Sequence, residues 1–142
     1  MNSQRLEFWK TFLVNQSGFP FPERLAKQLS VASVTEFCDC GCNSFGTFVP
    51  PEASAPALCA PMAHAASIFQ SYFRLHPSGK SLEIVIHADE LGNLSYVNID
   101  CNANSEPVPE QIQVTGSAYH VSSSQGLAPN NSFKPTPLRG AA

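Results

Sequence analysis

Hydrophobic positions along the chain change their period near residue 30, from the spacing of helices to the spacing of strands. Leu6, Trp9 and Leu13 recur three or four apart with Phe12 beside them, which predicts a helix over residues 4–15 with Ser3 as its cap. Gly18 and the Phe19-Pro20-Phe21-Pro22 stretch close that helix with a rigid turn, and Pro22 suits the first position of a second short helix reaching Leu29. From Ser30 the alternation is two: Val31, Ser33 and Thr35 against Ala32, Val34 and Glu36, with Phe37 closing a predicted strand. Residues 44–49 read as another strand. The strongest region is Ser81 to Ala88 followed by Leu94 to Asp100 around Gly92-Asn93, an antiparallel hairpin that residues 67–75 extend into a meander. His76-Pro77-Ser78-Gly79-Lys80 supplies the turn between the first two of these three strands.

Between these runs, Pro50 to Met62 holds four prolines and reads as an extended connector. A short element is predicted over Glu110 to Val114, and from Gly116 onward Ser, Gly, Asn and Pro dominate. The expectation is an α+β domain over residues 1–115, two short N-terminal helices packed on an antiparallel β-meander sheet, followed by a flexible tail over 116–142.

Composition narrows the class. A chain of 142 residues supports one domain with a core, and 13% charged residues is about half the usual share. No apolar run is long enough to cross a bilayer, and the N-terminus lacks the order of a signal peptide, so a cytoplasmic protein is expected. The net charge of -3 is unevenly spread: residues 30–127 hold nine acidic side chains against only Arg74 and Lys80. An acidic body lacks the electrostatic footprint for nucleic acid or an anionic membrane, and neither partner is expected.

The last thirteen residues, Asn130-Asn-Ser-Phe-Lys-Pro-Thr-Pro-Leu-Arg-Gly-Ala-Ala142, resemble the translation of a recombination site at the 3′ end of an integron gene cassette. That resemblance implies a bacterial, mobile, cassette-borne gene whose reading frame runs into its own attachment site. The tail's residues would then be set by DNA recombination, and cassette genes of this kind commonly encode small accessory proteins.

Cys38-Asp39-Cys40-Gly41-Cys42 is the most distinctive internal motif. With the later hairpin and Glu106-Pro-Val-Pro109, it resembles small uncharacterised bacterial proteins bearing a Cys-x-Cys-Gly-Cys segment before a β-meander, a likeness over residues 31–110 that implies no activity. Residues two apart on a flat strand are about 6.6 Å apart, whereas two thiolates on one tetrahedral zinc lie about 3.8 Å from each other. Gly41 can bend the chain to converge Cys40 and Cys42, with Cys59, Cys101 or His64 completing a metal shell. The stronger reading treats these thiols, with no export signal and no nearby cation, as small buried hydrophobes.

Other chemistry is scattered. His87 lies in the strongest strand, two residues from Asp89 and opposite a strand ending in Asp100, a pattern that suits a general base oriented by a carboxylate. No phosphate loop, serine elbow, HExxH or dinucleotide fingerprint occurs, so no cofactor is expected. The sequence therefore predicts a small binding or interaction module with an apolar pocket or a dimer face. Its partner is a second copy, another protein or a small molecule. A metal-independent enzyme using His87 with Asp89 or Asp100 is one alternative, and a zinc-binding protein using Cys38, Cys40, Cys42 and Cys59 or Cys101 is another.

Overall fold

The computed structural model describes residues 3–37, 41–124 and 127. The elements run α1 (Ser3–Asn15), α2 (Pro22–Val31), β1 (Ser33–Phe37), β2 (Phe45–Phe48), β3 (Ala66–Arg74), β4 (Ser81–Ala88), β5 (Leu94–Cys101) and β6 (His120–Ser123). All strands join one six-stranded sheet in the order β1-β2-β5-β4-β3-β6, and every neighbouring pair is antiparallel. The α+β class, with helices first and sheet after, is as the periodicity predicts.

Alternation along the central strands decides which face is buried. Leu82, Ile84 and Ile86 of β4 point one way and meet Cys101, Ile99 and Val97 of β5 in register. On the other side they meet Phe73, Ser71 and Phe69 of β3. Apart from Ser71, these side chains form the core. Both helices cover this face: Phe12 of α1 packs edge-on to Phe73, ring centroids 5.2 Å apart, and Phe19 in the interhelix turn packs on Phe69 at 5.4 Å. Trp9, fully buried, donates its indole N–H to Asn43 Oδ1 at 2.8 Å and so fastens α1 to the loop before β2.

α2 is fixed through one polar side chain. Gln28 is fully buried. It donates to Pro56 O and to Asn93 Oδ1, each at 2.9 Å, and accepts the Leu94 N–H at 2.8 Å. The proline-rich connector is thereby strapped across the β4–β5 turn, with Leu58 and Cys59 fully buried beneath it. Leu58 N donates to Gly92 O at 2.8 Å, and a Cβ at Gly92 would stand 2.1 Å from Cys59 O. Glycine is required there by that crossing, and its φ of +86° suits no other residue well.

Three boundaries differ from the sequence reading. α2 continues through Val31, so the first strand starts at Ser33. Residues 110–114 form only an isolated bridge, Leu75 with Val114. The sheet also runs past residue 115: β6 pairs with β3 from Tyr72↔His120 to Phe69↔Ser123, and Leu127 is buried in the core. Residues 128–142, including the cassette-like segment, lie outside the described residues.

Candidate functional site

The remaining residues of the same strands build the opposite face of the sheet, away from both helices. Its rungs follow from the register. Glu36, Gly46, Tyr96 and His87 form one. Asn98, Val85, Gln70 and Ser122 form the next. Asp100, Glu83, Tyr72 and His120 form the third. Tyr72, Glu83, His87, Tyr96, Asn98 and Asp100 are all half-buried. An antiparallel sheet with one wet face has this alternation.

Each group on this face has a definite partner. His87 Nε2 and Asn98 Oδ1 are 2.7 Å apart, which orients the imidazole, and Tyr96 packs edge-on to that ring at 5.9 Å. Tyr72 donates its hydroxyl to Glu83 Oε2 at 2.7 Å. That bond, more than burial, pushes the Tyr72 phenol up. The Tyr72 ring also meets His120 edge-on at 5.4 Å and Tyr119 at 6.1 Å. The Arg74 guanidinium lies over the Tyr119 ring, 4.3 Å from its centroid. The Tyr96 ring lies over Gly46, where any Cβ would press on Thr35, Glu36 and Tyr96 itself. Burial first, and the facing charge of Glu83 second, push the Asp100 carboxyl above the usual carboxylate range.

The acid–base pair foreseen in the sequence is not brought together. Asp89 Oδ1 accepts the N–H groups of Leu91 at 3.0 Å and Asn93 at 2.9 Å, so it builds the hairpin turn. Asp100 faces Glu83, two rungs from the His87 row, a separation of about 13 Å along the strand. Glu83, Tyr72, Tyr96, Tyr119 and His120 are not among the candidate site residues of the sequence reading. The inward Leu82-x-Ile84-x-Ile86 pattern does place Glu83 and His87 on the outward side. Nothing in the sequence announces the β3–β6 pairing that brings His120 and Tyr119 beside Tyr72.

The three described thiols are buried. Cys59 is fully buried and Cys101 nearly so. Burial, reinforced by Asp89, pushes the Cys59 thiol up to about 11, and burial with Glu106 raises that of Cys101. Cys42 is buried and donates to Ser44 Oγ at 3.3 Å. Cys38 and Cys40 lie outside the described residues. Among the described residues no three His, Cys, Asp or Glu side chains converge to hold a metal ion. His64 and His76 are exposed in loops.

Two concavities lie away from this face. One of about 500 Å³ opens between α1 and α2, lined by Glu7, Lys10, Val14 and Leu29. Another of about 460 Å³ opens beside His76, Pro77 and Glu110. Neither holds His87, Glu83 or Asp100. No helix among the described residues is long and apolar enough to cross a membrane. No protein-family model, curated protein or solved structure matches the chain.

Proposed function

We propose that the chain is a small interaction module that docks a partner on the helix-free face of its sheet. The observation that carries this reading is the makeup of that face. It holds three tyrosines, two histidines and three carboxylates, several of them half-buried and ordered by mutual contacts on a broad surface. Tyrosine combines large contact area with few rotatable bonds, which suits recognition surfaces. The enzyme alternative has less support, because His87 is engaged by Asn98 while Asp89 is committed to a turn. The likeness of residues 130–142 to a translated cassette site supports a mobile accessory role, in which a compact module serves whatever host carries the gene.

The test is amide chemical-shift mapping on the full chain. One arm raises the protein's own concentration to detect a dimer face. The others add blocked hexapeptides of arginine, of glutamate, or of alternating leucine and serine. Shifts gathered on residues 70–72, 83–87 and 96–100 in any arm support the module. Silence of those amides in every arm overturns it.

A further inference from the structure

We propose that the helix-free face receives an arginine-bearing segment of a partner protein, whose guanidinium bridges Glu83 and Asp100 beside the Tyr72 ring. The proposal deepens the interaction-module reading and rests on it. Four observations converge on this partner chemistry.

The first is charge. Glu36, Glu83 and Asp100 all stand on this face. Arg74, at its rim, is already laid over Tyr119. Lys80 is drawn away into an ion pair with Glu106 at 2.5 Å. Among the described residues of the face, the acids outnumber the bases, and the surplus faces outward.

The second is spacing. Glu83 and Asp100 are direct register partners, and such partners carry their Cβ atoms about 4.5–5.5 Å apart. Two carboxylates at that separation repel each other, and a planar fork of N–H donors satisfies both at once. An ammonium is a point charge without that fork.

The third is the aromatic setting. Tyr72 is bonded to Glu83 from the β3 side of the same rung, and Tyr96 stands on the same face two rungs along β5 from Asp100. A guanidinium over a tyrosine ring gains a cation–π contact. The chain itself demonstrates this geometry on the same face, in the Arg74–Tyr119 stack at 4.3 Å.

The fourth concerns what the face rejects. Two copies docked with a twofold axis through the Glu83–Asp100 rung would set like carboxylates against each other, which disfavours a second copy centred there. The breadth of the surface, three rungs across β5, β4 and β3, calls for a polypeptide rather than a free small cation.

The experiment titrates the full chain with blocked hexa-arginine and hexalysine at low salt, reading affinity and the location of amide shifts. Two charge-matched double variants accompany it: E83Q/D100N on the face, and E52Q/E90Q on exposed loops elsewhere. The expected result has shifts gathered around Tyr72, Glu83 and Asp100 and arginine binding several-fold tighter than lysine. E83Q/D100N lowers the affinity for arginine at least tenfold, and E52Q/E90Q leaves it within about twofold. Equal loss in both variants, equal binding of lysine, or shifts spread over the whole surface overturns the proposal. If the face responds to the leucine–serine peptide or to the protein's own concentration but not to arginine, the partner chemistry fails and the module stands. If the face responds to nothing, both fall.

Discussion

Glu83 on β4 and Asp100 on β5 face each other across one rung of the sheet, two carboxylates of like charge held in register. Tyr72 supplies a hydrogen bond to Glu83 at 2.7 Å, while Asp100 is half-buried. The rung is therefore a local cost at neutral pH.

Asp100→Asn should stabilise the protein at pH 7. Like charges directly opposed on a sheet cost about 0.2–1 kcal/mol, and the amide removes one of them without changing shape. The sign with pH follows from the raised folded-state value of Asp100. A raised carboxyl favours the folded state fully below its unfolded value, and that advantage is lost as pH rises through the folded value. The gain in melting temperature of Asp100→Asn over the parent should thus be absent in acid and grow towards neutrality. An equal gain at every pH contradicts this account.

Gln28→Leu should be among the most damaging conservative-volume changes. It leaves the Leu94 N–H, Pro56 O and the Asn93 amide without their buried partner. Each unsatisfied buried group costs about 1–3 kcal/mol. Urea unfolding should show a loss of at least about 3 kcal/mol, and hydrogen exchange should quicken first at Leu94.

Gly92→Ala should fail for a different reason, a methyl set 2.1 Å from Cys59 O. Neither backbone is free to retreat, because Leu58 N is bonded to Gly92 O in the same crossing. The expected outcome is loss of soluble expression or a melting temperature lowered by more than about 10 °C, roughly the effect of 2–3 kcal/mol on a domain of this size. A variant melting within a few degrees of the parent speaks against the crossing.

Ala103→Gly should do the opposite. Asn102, Ala103 and Asn104 all carry left-handed backbone, with φ of 53°, 57° and 60°. Asparagine tolerates that region, whereas alanine meets its Cβ penalty of about 1–2 kcal/mol. Ala103 is exposed and has no packing to lose. Thermal unfolding should show a gain of about 1 kcal/mol, and any loss of stability counts against the conformational argument.

Cys59 and Cys101 should resist iodoacetamide at pH 8 in the native protein and react once urea unfolds it. The reagent needs thiolate: the Cys59 thiol, held at about 11, supplies almost none at that pH, and burial pushes the Cys101 thiol up as well. Peptide mapping of the two sites separates them from the other cysteines.

Much of the architecture is legible in the residues themselves. The β4–β5 hairpin declares itself because inward Leu82, Ile84 and Ile86 alternate with outward groups around a Gly92-Asn93 turn. β6 declares nothing: His120-Val121-Ser122-Ser123 is exposed throughout, and only the neighbouring β3 backbone makes it a strand. The site divides along the same line. His87 and Asp100 stand out in the sequence, but their partners depend on cross-strand register, which a two-residue period leaves open until the turn is fixed. The result is Asn98 beside His87 and Glu83 beside Asp100, in place of a histidine–carboxylate pair.

The sheet ends in two short strands, and this shapes how the protein behaves when concentrated. β6 offers four residues, and β1 offers five whose ladder slips between Val34 and Glu36. A template that brief or that irregular gives an incoming strand little to copy, so end-to-end growth of the sheet into fibrils is blunted at both margins.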